Sequence, residues 1–166
     1  MAFTVRRLSC VCGRVQCEAI GAPILSGVCY CLDCQDGGRR IEALPNAARI
    51  RDPDGGTPYL TYRDDRFQVL SGENLLVDYR LKPRSPTRRV VASCCNSGMF
   101  LKFDPGFWVS TYRSRQGDPP PIEMRTKTQH RRSETELPSD APSYRGFPLR
   151  LFARLIAARA AMLFGR

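Results

Sequence analysis

Cys29-Tyr30-Cys31-Leu32-Asp33-Cys34 packs three thiols into six residues. Neighbours two apart cannot easily close a disulfide on one another, but they can turn two thiolates toward one metal ion. Five further cysteines surround this stretch: Cys10 and Cys12 in Cys10-Val11-Cys12-Gly13, then Cys17, then Cys94 and Cys95 in Cys94-Cys95-Asn96-Ser97-Gly98. Gly13 and Asn96-Ser97-Gly98 are turn residues, so both flanking pairs have the form of a knuckle. Cys17 instead alternates with Gln16 and Glu18 alongside Val15 and Ala19, as on the inner face of a half-buried strand, and reads as a core residue. The Met1 to Arg7 stretch lacks the apolar run of a secretion signal. The expectation is a cytoplasmic protein, where thiols stay reduced and metal binding outranks disulfides.

Ligand arithmetic separates two sites. A structural zinc takes four protein ligands, whereas a catalytic zinc keeps three and leaves a position for water or substrate. Cys10 and Cys12 need partners from elsewhere, and the Cys94–Cys95 pair is the distant source. Cys29, Cys31 and Cys34 form a three-sulfur site with a vacancy. Two zinc ions per chain are therefore expected, one structural and one catalytic in type.

The chain has 166 residues, 42% hydrophobic and 25% charged, which fits one domain with a tail. Its longest uncharged run, Ala19 to Leu32, is 14 residues and is broken by Gly21, Pro23 and Gly27, too short for a membrane span. Net charge is +10, and of the 26 basic residues only Lys82, Lys102 and Lys127 are lysine. The field of such a chain attracts nucleic acid, anionic lipid and small anionic substrates alike. Nucleic acid is disfavoured, because the arginines are not interleaved with aromatics and no helix-turn-helix or zinc-finger spacing is present.

Order and spacing resemble the glutathione-dependent formaldehyde-activating enzyme family, which includes centromere protein V. The matching residues are Cys10-Val11-Cys12-Gly13-Arg14-Val15, Gly21-Ala22-Pro23, Cys29-Tyr30-Cys31-Leu32-Asp33-Cys34, Phe67 to Gly72 and Asp78-Tyr79-Arg80, within about residues 8 to 110. Tyr30 replaces the family's histidine, and Ser97 stands at the second cysteine of its last knuckle. The resemblance implies a zinc-held β-tent of small antiparallel sheets. It also implies a structural zinc on Cys10, Cys12, Cys94 and Cys95 and a second zinc on Cys29, Cys31 and Cys34. In an alternative pairing Cys95 turns toward the trio and fills its vacancy.

The residues point independently to a mainly β domain over 1–112. Strand-like runs cover 13–20, 67–70, 75–81, 89–93, 99–103 and 107–112, separated by turns such as Asp52-Pro53-Asp54-Gly55-Gly56 and Asp104-Pro105-Gly106, with little helix. Residues 113–147, with Pro119-Pro120-Pro121 and Arg131-Arg132, read as a basic linker, extended on the surface or mobile. His130, the chain's one histidine, lies there as a solvated residue, and Trp108 reads as core or pocket wall. Residues 148–166 read as an amphipathic helix from Pro148 to Gly165, with Leu149, Phe152, Leu155, Ile156, Leu163 and Phe164 as its apolar stripe and Arg150, Arg154 and Arg159 off it. That helix is expected to contact its own domain, a second subunit or a membrane surface.

Function divides along the same lines. As an enzyme, the chain would be a zinc-dependent carbon–sulfur lyase acting on a small thiol adduct such as an S-hydroxymethyl thiol. Cys29, Cys31 and Cys34 would hold the metal, Arg39, Arg40, Arg88 and Arg89 would receive carboxylates, and a zinc-bound water or Tyr30 would handle the proton. As a binding or adaptor module, zinc would contribute folding free energy alone. A thiol redox role, from the Cys31 to Cys34 spacing, lacks the βαβ setting of thioredoxin-like proteins.

Overall fold

Alternation along the strands builds a three-layer molecule. In chain order the elements are β1 (Val5–Ser9), β2 (Gln16–Ile20), β3 (Leu25–Cys29), α1 (Leu32–Glu42), β4 (Thr57–Arg63), β5 (Phe67–Ser71) and β6 (Leu76–Tyr79). They continue with β7 (Thr87–Ala92), β8 (Ser97–Phe103), β9 (Trp108–Tyr112), β10 (Met124–Thr126) and α2 (Leu149–Leu163). The structure, a computed structural model, describes residues 4–165; Met1 to Phe3, which carry part of the leader reading, and Arg166 lie outside the described residues.

Two sheets form, as a mainly β fold requires. A three-stranded antiparallel sheet runs β1-β2-β5, and a seven-stranded sheet runs β10-β3-β4-β9-β8-β7-β6. Every pairing in the larger sheet is antiparallel except β10 on β3. Leu8, Val15, Cys17 and Ala19 from the small-sheet side meet Leu60, Tyr62, Val90, Met99, Phe100 and Val109 in one apolar core. Cys17 is fully buried there, and burial pushes its thiol up to about 12, so it stays protonated and inert. On the opposite face of the large sheet, Ile41 and Cys34 of α1 pack with Ile50, Tyr59, Val91 and Tyr112.

The large sheet is thus covered on both faces, which explains two strands that alternation does not reveal. β4 is buried at Thr57 through Tyr62 without interruption, and Pro58 within it argues against a strand until the structure places it at the strand's start, opposite Val28. β3 contains Gly27 and has no polar alternation.

Helix α1 corrects the expectation of little helix before residue 113. Gly37 and Gly38 mask it, since each costs about 1 kcal/mol against alanine in a helix. Their use is tertiary: a Cβ on Gly37 would lie 1.9 Å from Arg89 Nε, and one on Gly38 would lie 2.6 Å from Arg51 Cδ. Glu42 then ties the helix end down, accepting from the backbone N–H groups of Ile50 and Arg51 and from the Arg51 side chain.

Residues 113–147 are not a free linker. Met124, Arg125 and Thr126 are buried in β10, and Arg125 pairs with Asp140 at 3.0 Å. The prolines keep the chain extended on either side, and the few apolar anchors suffice because β10 gains a ladder of hydrogen bonds to β3.

Helix α2 begins after Pro148, where its sequence places it. Its arginines turn inward. Arg154 grips the Glu123 carboxylate at 2.6 and 3.2 Å, Arg150 donates to the Glu123 carbonyl, and Arg159 lies over the Phe107 ring. The predicted apolar stripe splits: Leu155 faces the domain, whereas Leu149, Ile156, Leu163 and Phe164 are 70–86% exposed.

Candidate metal centres

The first knuckle closes the β1–β2 turn. Gly13, at φ 79°, lets its N–H donate to the Cys10 carbonyl, and the Val15 N–H donates to Cys10 Sγ at 3.2 Å. The β7–β8 turn supplies the other half, with Asn96 in the left-handed region and its side chain donating to the Pro45 carbonyl. Sulfur separations are 3.6 Å for Cys10–Cys12, 3.8 Å for Cys10–Cys94, 3.3 Å for Cys12–Cys94 and 3.9 Å for Cys94–Cys95. Zinc–sulfur bonds of about 2.3 Å in a tetrahedron put sulfurs roughly 3.8 Å apart, so the spacing fits a four-sulfur metal site.

Cys95 therefore sits with Cys10, Cys12 and Cys94, all ligand atoms lying within 4.8 Å, and not with the trio. Ser97, at the position where a second knuckle cysteine was expected, accepts from the Val11 N–H at 3.0 Å and lies 3.1 Å from Cys95 Sγ. Burial raises the Cys95 thiol, but hydrogen bonds from Ser97 and Cys12 outweigh it and bring the group down to about 6. The adjacent cysteine thus replaces the missing one, and the serine hydroxyl orients it.

The trio spans the β3–α1 junction, with its three sulfurs again within 4.8 Å. Cys29 ends β3, and Cys31 is the N-cap of α1, its sulfur accepting from the Cys34 N–H at 3.3 Å. Cys34 lies in the helix's first turn, buried, with its sulfur accepting from the Tyr59 hydroxyl at 3.7 Å. Hydrogen bonds from Cys29 and Cys34, with the nearby charge of Arg89, hold the Cys31 thiol down at about 3. The same bonding pushes Cys29 up to about 12 and Cys34 upward as well. One thiolate shared among three sulfurs is the arrangement a cation would replace protons in.

Each centre has a guanidinium beside it, buried at the trio and half-buried at the four-sulfur group. Arg89, 2% exposed, donates from Nη2 to the Asp33 carbonyl at 2.7 Å while its Nε and Nη1 have no hydrogen-bond partner. Arg115 places its charge near Cys95 and Cys10. Both offset the negative charge that clustered thiolates create.

Several expected roles move. Tyr30 points away from its cysteine neighbours because extended backbone alternates side chains. Its hydroxyl donates to Asp54 Oδ2 at 2.6 Å and so is committed to that carboxylate, and burial followed by that bond raises its pKa. Arg88 is engaged with Asp78 and Asp104, Arg39 with Asp36 and Arg40 with the Leu81 carbonyl, and Arg89 is buried. His130 stands outside both cysteine groups; its carbonyl accepts from Gln35.

No family profile and no curated protein sequence matches this chain. A Rhodobacter sphaeroides protein of known crystal structure is similar at 16% identity and a TM-score of 0.47, over 83% of this chain and 99% of that one.

One feature beside the trio has no counterpart in the sequence reading. A cavity of about 290 Å³ lies between the large sheet and α2, bounded by Cys29, Cys34 and Tyr59 at one end and by Trp108, Phe152 and Leu155 elsewhere. Trp108 is accordingly a pocket wall. Tyr59 was not singled out from sequence; only its place opposite Tyr112 and against Cys34 marks it.

Proposed function

We propose that this chain is a zinc protein with two unequal sites, a structural one on Cys10, Cys12, Cys94 and Cys95 and an open one on Cys29, Cys31 and Cys34. The open site would act on thiol adducts of small aldehydes as a carbon–sulfur lyase. The observation that carries this reading is the difference in ligand number, four converging sulfurs against three, with a cavity at the three-sulfur site. The resemblance to glutathione-dependent formaldehyde-activating enzymes supports it.

In the breakdown of an S-hydroxymethyl thiol, the hydroxyl loses its proton, the carbon–oxygen double bond forms, and the carbon–sulfur bond breaks to release aldehyde and thiolate. Cys29, Cys31 and Cys34 would hold the zinc, which would supply a Lewis acid for the charge that develops. Tyr59, kept protonated by burial above all, holds a proton at the sulfur end of the cavity and donates it toward Cys34. Arg89 steadies the cluster's charge through the start of α1.

A second reading, a zinc-stabilised binding module, draws on the outward apolar residues of α2. Release of formaldehyde from an S-hydroxymethyl thiol separates the two. Zinc-loaded protein accelerates release and Cys31→Ser, still folded, does not; equal rates in both proteins would leave the binding module.

A further inference from the structure

The cavity beneath α2 is lined mainly by apolar side chains. Among the described residues, no Asp, Glu, Lys, Arg or His side chain bounds it, and its hydroxyls make hydrogen bonds within the protein. Thr61 and Ser110 share a hydrogen bond at 3.0 Å, Thr126 donates to the Val28 carbonyl, and the Tyr59 hydroxyl donates to Cys34 Sγ. What remains for a ligand is the apolar surface of Leu25, Leu101, Trp108, Leu151, Phe152 and Leu155, with Cys29 and Cys34 of the trio also in the lining. Arg89 is no substitute anchor, because it reaches the Asp33 carbonyl and borders a separate small cavity beside Gly37.

We infer that the open site takes apolar thiols and their aldehyde adducts, with the sulfur at the trio and the hydrocarbon chain in the cavity under α2, and that it discriminates against glutathione. The inference rests on the proposed open metal position. A tripeptide with two carboxylates would bring charge into a space that offers it no partner, at a cost that apolar contact cannot offset. A hydrocarbon tail leaves no polar group unsatisfied, and at about 290 Å³ the space suits a small ligand. Helix α2 is then part of the specificity wall: Leu151, Phe152 and Leu155 set the polarity of the tail the site accepts.

The test uses the full chain loaded with cobalt(II), whose absorption reports sulfur coordination, together with the fluorescence of Trp108, the chain's single tryptophan. Ethanethiol, butanethiol, hexanethiol and octanethiol are titrated beside hexanol and glutathione. The expected result is a change in the cobalt bands with every alkanethiol, tightening roughly fourfold per methylene until the cavity is full, with parallel quenching of Trp108. Glutathione should bind at least a hundredfold more weakly than hexanethiol. Leu155→Asn should weaken hexanethiol about tenfold and ethanethiol by a smaller factor; the chain-length series in the unaltered protein stands whether or not that variant folds. Glutathione binding as well as hexanethiol, with no dependence on chain length, would overturn the inference and leave the open site standing. Cobalt bands that no thiol perturbs would overturn the open site itself, and this inference with it.

Discussion

The two cysteine groups are built from the same ligand and differ in what they join. The four-sulfur group ties the β1–β2 turn of the small sheet to the β7–β8 turn of the large one, so it staples two layers that share a core. The three-sulfur group lies within a single β–α junction, where the chain is already held by α1, β10 and the Asp54 turn. Loss of a staple between layers costs the fold, whereas loss of a ligand inside a supported junction costs the site.

The largest contrast comes from removing one ligand in each. Structural zinc is worth on the order of 10 kcal/mol to small folds, so Cys12→Ser is expected to abolish the cooperative thermal transition followed by circular dichroism. Cys31→Ser should retain that transition while elemental analysis shows the zinc-to-protein ratio falling from about two to about one. Equal unfolding by both would erase the difference between the groups.

The next effect concerns the support of the junction. Tyr30→Phe removes a buried bond to a carboxylate and is expected to lower stability by about 1.5–3 kcal/mol in denaturant titration, with formaldehyde release by the folded protein unchanged. Activity lost out of proportion to the unfolded fraction would return Tyr30 to the proton's path. Gly37→Ala should destabilise by about 1–2 kcal/mol, because overpacking against buried Arg89 exceeds the gain of about 1 kcal/mol in helix propensity. A higher melting temperature in that variant would show that Arg89 is free to move and is not braced against α1.

The smallest effect is a pH dependence at the end of α1. Burial raises the Glu42 pKa, but its bonds to Arg51 and to the backbone of residues 50 and 51 prevail and hold it below the usual carboxylate range. A depressed carboxylate stabilises the fold at pH above its ordinary value, and that contribution disappears as pH falls through the folded value. Glu42→Gln is expected to cost about 1 kcal/mol near neutrality and to flatten the stability curve below about pH 4.5; a curve superimposable on that of the unaltered protein would separate the helix end from the junction's stability.

Much of the β domain is legible in the chain. All six of the strand-like runs, 67–70, 89–93 and 107–112 among them, coincide with strands within a few positions, and the Asp52 to Gly56 turn closes as its residues dictate. Strands buried on both faces, β3 and β4, lack alternation and so lack a signal. Helix α1 was hidden by glycines whose reasons lie outside it: Arg89, more than fifty positions away, packs on Gly37, and Arg51 packs on Gly38. The stripe of α2 was legible as helix, but which side faces the domain depended on Glu123, which draws Arg154 and Arg150 inward.

Local features are written in the chain itself: thiols spaced to share a metal, turn residues beside them, the alternation of exposed strands and the span of the last helix. These follow from backbone geometry over a few residues, which any fold must respect. Only the tertiary structure decided that Cys95 joins Cys10 and Cys12, that Tyr30 serves Asp54, that Arg89 is buried and that α2 roofs an apolar cavity at the trio. Each of those outcomes depends on atoms brought together from distant parts of the chain, where burial and unsatisfied polar groups, and not sequence spacing, select the partner.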